Sequence, residues 1–276
     1  MVKVENVSFK YKRKPVFSDF SLDIEAGKVY GLLGKNGTGK STLLYLMTGL
    51  LHPQKGKISY AGENVSERLP STLREMFIVP EEFELPRTSL KEYITTNRGF
   101  YPNFSEKDLK NNLSYFELDS NIHLGALSLG QKKKVFMSFA LATNTPLLIM
   151  DEPTNGLDIP GKSQFKKFIA SKMTDERTIV ISTHQVQDIE KLIDQVVIIE
   201  NDKLLLNKSV TEITRKLRFA NGESTVDTNQ AFYSTPSIQG YNALYPNNEE
   251  VESELNLETL FNASLSNPAK INALFN

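Results

Sequence analysis

Gly34-Lys35-Asn36-Gly37-Thr38-Gly39-Lys40-Ser41 is the stretch on which the fold of this chain turns. It fits G-x-x-x-x-G-K-[ST], the P-loop pattern. Glycines let the backbone fold tightly enough for successive N–H groups to point at phosphate oxygens. Lys40 adds a point charge for β- and γ-phosphates, and the Ser41 hydroxyl is a ligand for Mg²⁺. Just upstream, Val29-Tyr30-Gly31-Leu32-Leu33 reads as a short apolar strand, and Ser41 to Met47 reads as the helix that follows. That helix would aim its positive dipole end at the same spot. A plain glycine-rich turn explains neither neighbour. Asn36, Gly37, Thr38, Gly39, Lys40, Ser41 and Thr42 are therefore the expected cradle for a nucleoside triphosphate.

Further out, Val2 to Phe9 alternates like a strand, while residues 92–118 look helical and amphipathic. Ser105 followed by Glu106 and Asp108 suits a helix start. Gln131 to Ala142 reads as another helix. Leu147 to Met150, Thr178 to Ser182 and Val196 to Glu200 are short β-rich runs of the kind buried in a parallel sheet. Strands separated by helices imply an α/β layered core.

The run Leu147-Leu148-Ile149-Met150 ends in Asp151-Glu152. In open α/β sheets ligands sit at the carboxyl ends of strands. Asp151 is thus placed to hold Mg²⁺ directly or through water, and Glu152 to polarise an attacking water. An apolar run ending in two acids is common at solvated turns; following a P-loop, it carries weight. Between loop and acidic pair lies Leu127-Ser128-Leu129-Gly130-Gln131, with Ser128 placed 23 residues before Asp151. A serine helix cap accounts for Ser128 but not for Gly130-Gln131 at this spacing.

With these three elements in order, the chain resembles an ATP-binding-cassette ATPase over about residues 1–205. The resemblance implies an α/β fold: a P-loop NTPase core with a parallel-rich central sheet, an antiparallel N-terminal β subdomain and a helical signature subdomain over about residues 80–145. It also implies roles. Tyr11 would stack on adenine. Ser128, Gly130 and Gln131 would close over the γ-phosphate held by a partner subunit. Asn155-Gly156-Leu157-Asp158 would form the loop that crosses the dimer seam, and His184 would contact the γ-phosphate and help orient the water. His52 and His123 read as surface residues.

Two departures stand out. Leu129 replaces the first of the two glycines usual in the signature. Glu81, after Phe77-Ile78-Val79-Pro80, replaces a glutamine that senses Mg²⁺ and water. A carboxylate there is a candidate Mg²⁺ ligand, stronger than an amide oxygen, so Mg²⁺ dependence should exceed that of a Glu81→Gln variant.

The implied function is an ATP-hydrolysing subunit that drives transport through a separate membrane permease. It would work by ATP-driven head-to-tail dimerisation with an identical or related cassette. Phe100-Tyr101-Pro102-Asn103-Phe104-Ser105 and Lys132-Lys133-Lys134 resemble export-type members, although the lysine run otherwise reads as a solvated helix face without a site role. An ATPase acting on ribosomes or DNA is the alternative. It is disfavoured by a single cassette, by the lack of a heptad run between loop and signature, and by a net charge of −1, so no nucleic-acid partner is expected. A regulator that binds ATP without turnover is disfavoured by the presence of Glu152 and His184.

Composition sets the remaining bounds. Among 276 residues there is no cysteine, which removes disulfide and thiolate chemistry. No apolar run approaches the ~18 residues needed to span a bilayer, and the first residues lack a signal-peptide core. The expectation is a cytoplasmic protein, peripheral on the inner face of the cell membrane through its permease. Residues 219–276 hold one basic residue against seven acidic ones. That shift divides an ATPase domain, 1–218, from an acidic accessory extension, 219–276. In the extension Leu257, Leu260, Phe261 and Leu265 fit one helix face, expected to pack on the core or across a dimer.

Overall fold

The alternation of Val2 to Phe9 becomes the first strand of an antiparallel sheet in the computed structural model, which describes residues 1–227, 230–248 and 251–275. That sheet contains β1 (Val2–Tyr11), β2 (Lys14–Ile24), β4 (Lys55–Tyr60) and β5 (Glu63–Asn64), in the order β2-β1-β4-β5. Val2, Val4, Val7 and Phe9 are buried. The change of parity between Val4 and Val7 is absorbed by an irregularity in register and by a positive φ at Asn6.

The central sheet contains β3 (Val29–Leu33), β6 (Met76–Val79), β7 (Leu147–Asp151), β8 (Thr178–Thr183), β9 (Gln195–Glu200) and β10 (Lys203–Ser209). Its order is β10-β9-β3-β8-β7-β6. Every pairing is parallel except that of β10 with β9. Both faces are covered, as such a sheet requires. β3 sends Val29 and Leu33 into one apolar cluster and Tyr30 and Leu32 into the other. One face packs on the antiparallel sheet and α1 (Lys40–Met47). The short α2 (Pro70–Leu73) leads into β6. The other face packs on α3 (Leu90–Asn97), α4 (Glu106–Tyr115), α5 (Leu129–Ala142) and α6 (Ile159–Ser171).

The helical stretch expected over residues 92–118 is two helices, the second beginning at the Ser105 start read from the sequence. A 3₁₀ turn, Arg98–Phe100, ends the first, and Tyr101 is extended at φ −122°. Pro102 imposes this, because its ring disfavours a helical conformation in the residue before it. Helix formation restarts at Ser105, whose side chain accepts a hydrogen bond from Asp108 N at 3.1 Å. Tyr101 and Phe104 in the break pack on Phe139, while Phe100 is exposed.

After α7 (Val210–Lys216), β11 (Leu217–Glu223), β12 (Tyr233–Ser237) and β13 (Gly240–Pro246) form a small antiparallel sheet in the order β11-β13-β12. It is followed by α8 (Leu257–Ser266) and α9 (Pro268–Ala273). Leu257, Leu260 and Ala263 join the larger core cluster with Ile189, Leu206 and Ile213. Phe261 and Leu265 are only half-buried, so the covered stripe runs through Ala263 and Ser264 instead. Leu257 N donates to Glu190 Oε2 at 2.6 Å, which joins the start of α8 to the segment after β8. Among the described residues no helix is long and apolar enough to cross a membrane.

Candidate nucleotide site

Four parallel strands end at one edge, and each delivers part of a single cleft. β3 leads into the glycine-rich loop, β7 carries Asp151 and then Glu152, β8 leads to His184, and β6 leads to Glu81. The cleft, ≈ 950 Å³, is lined by Tyr11, by residues 35–42, and by Glu81, Glu152, Asn155 and His184.

Gly39 shows why the loop must be glycine-rich. It stands at φ 102°. A Cβ there would lie 2.7 Å from Val16 Cγ1 and 2.9 Å from Phe17 Cζ. Only glycine meets both conditions. Lys40 Nζ donates to Gly34 O at 2.9 Å and lies 3.6 Å from Glu152 Oε1, with each side chain only 6% exposed. The same Oε1 lies 2.8 Å from His184 Nδ1.

Glu152 is strained: its φ of 45° is left-handed, a conformation that costs a non-glycine residue of order 1–3 kcal/mol. Its backbone N–H, which donates to Ser182 O and Oγ, both at 3.1 Å, helps hold it there. Ser182 Oγ in turn donates to Asp151 Oδ1. Ser182 therefore fixes both acids, and sequence reasoning passed over it. The available signal was a polar residue in an otherwise apolar strand, paired in register with Asp151.

Burial pushes the Asp151 carboxyl above the usual range, against the opposing hydrogen bonds from Ser182 and Ser41. Asp151 Oδ2 is buried without a hydrogen-bond partner. A buried carboxylate oxygen left this way is well suited to a hard cation. Among the described residues no cluster of three His, Cys, Asp or Glu forms a closed metal cage. Mg²⁺ does not need one, since it usually keeps waters and substrate phosphates as ligands beside one or two protein oxygens. Ser41 and Asp151 fit that donor set.

Tyr11 is 47% exposed at the mouth of the cleft, set edge-on to Phe9, and its hydroxyl lies 3.4 Å from Thr42 Oγ1. A core role for this aromatic is excluded. Glu81 Oε1 accepts from Asn155 Nδ2 at 2.7 Å. His52 and His123 are exposed.

The signature residues lie outside this cleft. Ser128 caps α5, its Oγ accepting from Gln131 N at 3.3 Å, while Gln131 Oε1 accepts from Ser128 N at 3.0 Å. Capping therefore accounts for Gln131 as well as Ser128, contrary to the sequence expectation. Asp158 caps α6 through Gly161 N at 2.9 Å. Gly130 adjoins Gly156; a Cβ on Gly130 would stand 3.9 Å from Gly156 O. Leu129 is 60% exposed and Ile159 86%.

The lysine run is not a solvated face. Lys133 is 5% exposed, and its Nζ donates to Asn155 O at 2.6 Å. Lys134 Nζ reaches Gln164 Oε1 at 3.0 Å and stands over the Phe116 ring. Helical spacing could have revealed Lys133, since it lies four and seven residues before the buried Met137 and Ala140.

A glycine-rich loop, a buried lysine and two strand-end acids in one cleft define a P-loop nucleotide hydrolase. Residues 17–155 match the family model described as ABC transporter. The chain is 32% identical over 213 residues to the lantibiotic transport ATP-binding protein SrtF of Streptococcus pyogenes, covering 75% of this chain and 90% of that one. It is 30% identical over 213 residues to the SkfA peptide export ATP-binding protein SkfE of Bacillus subtilis strain 168, covering 74% and 87%. A solved structure of an ATP-binding subunit of an ABC transporter superposes with a TM-score of 0.69 at 26% identity, covering 78% of this chain and 92% of that one. The chain belongs to the ABC transporter family, as an ATP-binding domain that hydrolyses ATP.

Proposed function

We propose that this ATPase powers transport, in the export direction, through a permease carried on a separate polypeptide, and that it works as a head-to-tail dimer. One observation carries the dimer reading. Lys40, Glu152 and His184 converge within one cleft, while Ser128 and Gly130 lie outside it, Gly130 beside Gly156. If a complete site needs both sets, it needs two chains. Each site would then unite Tyr11, residues 36–42, Asp151, Glu152 and His184 of one subunit with Ser128, Gly130 and Gln131 of the other, Asp158 lying at the seam. Export draws support from the SkfE relative, whose name states peptide export.

In this mechanism Glu152 takes a proton from the attacking water, His184 holds the Glu152 carboxylate and the water in line, and Lys40 binds the β- and γ-phosphates. Ser41 and Asp151, with Glu81 as a further candidate, would hold Mg²⁺, which when bound would supply charge neutralisation for the phosphates. Loss of the γ-phosphate removes the cross-subunit link, and the dimer opens. Residues 1–218 would form the motor unit and 219–276 an accessory extension that supports it. The protein would sit on the inner face of the cell membrane, held there by the permease.

The test is Glu152→Gln with ATP and Mg²⁺. Turnover should fall at least ~100-fold, and a dimer should persist on gel filtration. Normal hydrolysis would sink the assignment of the base; lost hydrolysis with a persistent monomer would sink the dimer. The ribosome or DNA alternative makes the opposite prediction on fractionation, sedimenting the protein with those particles instead of with membranes.

A further inference from the structure

Glu81 brings a negative charge to a pocket already holding Asp151 and Glu152 and meant for polyphosphate. The structure shows what faces it. Lys133 enters from α5, one turn beyond the signature segment, and is buried. Asn155 stands between the two. Its carbonyl accepts from Lys133 Nζ at 2.6 Å, and its side-chain amide donates to Glu81 Oε1 at 2.7 Å. The same residue's backbone N–H donates to Glu152 O at 3.1 Å. One asparagine thus joins the end of β6, the signature helix and the strained glutamate.

A buried ammonium whose contact is a neutral carbonyl must have a charge partner nearby or lose its proton. Burial does push the Lys133 amine down, and the carboxylates opposing that shift are Glu81 first, then Glu152 and Asp151. Lys40 lies beside Glu152 and is engaged with the loop carbonyls of Gly34 and Lys35. Lys133 is therefore the cation placed to offset Glu81.

We propose that Glu81 and Lys133 form a charge-compensated pair bridged by Asn155, in which Lys133 is a positioning residue that fixes the Glu152 loop and ties the signature helix to the phosphate pocket. The substitution of glutamate for glutamine at position 81 then ceases to be an isolated departure. It is half of a pair whose other half lies 52 residues away in the chain. Closure of a partner's phosphate on Ser128 would shift α5, and Lys133 would pass that shift through Asn155 to Glu152. This last step rests on Glu152 being the base, which the Glu152→Gln experiment decides separately.

A double-mutant cycle tests the pair, with Glu81→Gln, Lys133→Gln and the double variant. The primary readout is ATP affinity in EDTA, which needs neither metal nor turnover. Glu81→Gln removes a negative charge and should tighten ATP severalfold; Lys133→Gln leaves Glu81 uncompensated and should weaken it by about tenfold. The double variant should bind ATP within about twofold of Glu81→Gln, because with residue 81 neutral Lys133 has no charge left to offset. kcat should follow the same pattern, falling about tenfold in Lys133→Gln and recovering in the double variant. Additive effects, with the double variant about tenfold weaker than Glu81→Gln and so near wild type, would overturn the proposal, because Lys133 would then act independently of Glu81. Should Lys133→Gln fail to fold, the double variant still decides. A wild-type melting temperature in the double variant supports the pairing, and an equally unfolded double variant refutes it.

Discussion

The phosphate half and the signature half of this molecule are built on opposite terms. In the first, every group works against a neighbour in the same chain: Lys40 on Gly34 O and beside Glu152, Glu152 on His184 and Ser182, Asp151 on Ser182. The half is buried, strained at Glu152 and crowded with like charge. In the second, Ser128 and Gln131 satisfy only each other, and Leu129 and Ile159 present apolar surface to solvent. One half holds stored strain that a ligand can draw on. The other is relaxed and leaves apolar side chains exposed. Such a division is expected when neither half is a site alone.

The largest expected effect breaks the comparison at its root. Lys40→Ala should cost at least ~100-fold in turnover by removing a phosphate contact, and Ser128→Arg a similar factor by blocking the seam. Mixed in equal amounts, the two inactive variants should regain about a quarter of wild-type activity, since half the dimers are mixed and each of those contains one intact site. No recovery on mixing would show that Ser128 serves its own chain's cleft. The wild-type rate should also climb faster than linearly with protein concentration at low concentration.

A smaller effect sharpens the strained half. Burial raises the Asp151 carboxyl, so the folded chain binds that proton more tightly than the unfolded chain does. Its contribution to stability is present at acid pH and is lost as pH rises through the elevated value, so at neutral pH the charged group destabilises the fold. Asp151→Asn should therefore raise the melting temperature in metal-free buffer at pH 7 by about 2–4 °C while abolishing turnover, an exchange typical of active-site acids. A lower melting temperature would mean that the hydrogen bonds from Ser182 and Ser41 outweigh the burial.

The same division explains what could be read from the sequence. The glycine-rich loop and the acidic pair could be placed from the sequence because their signals are local, a strand end, a turn and a helix start within a few residues of each motif, whereas His184 was reached only through the family resemblance. The strands β3, β7, β8 and β9 were legible because a buried parallel strand is an uninterrupted apolar run. Ser182 and Lys133 left only weak signals, a polar residue in an apolar strand and a lysine in register with buried positions, and their roles were missed. Each acts through a partner brought close by tertiary packing, Asp151 across one ladder and Asn155 across a helix–loop contact. The capping role of Gln131 was missed for a different reason, since a capping box and a phosphate-binding segment share the same serine-to-glutamine spacing. The restart at Ser105 was legible as a helix cap, and Pro102 accounts for the extended residue before it.

The smallest effect tests the relaxed half. Leu129 stands where a glycine was expected, 60% exposed, with Cδ2 3.9 Å from the Cβ position of Gly156. At 60% exposure it contributes little to the chain's own packing, so Leu129→Ala should leave the unfolding free energy of the monomer within the scatter of surface substitutions, about ±0.5 kcal/mol. If a second subunit covers it, the lost apolar area is worth about 1–2 kcal/mol of association, or roughly a tenfold weaker ATP-dependent dimer in the Glu152→Gln background. Sedimentation equilibrium in that background reads the difference directly. A lowered melting temperature with an unchanged dimer would place Leu129 on the side of the fold, and the exposed apolar surface flanking Gly156 would lose its claim to be a seam.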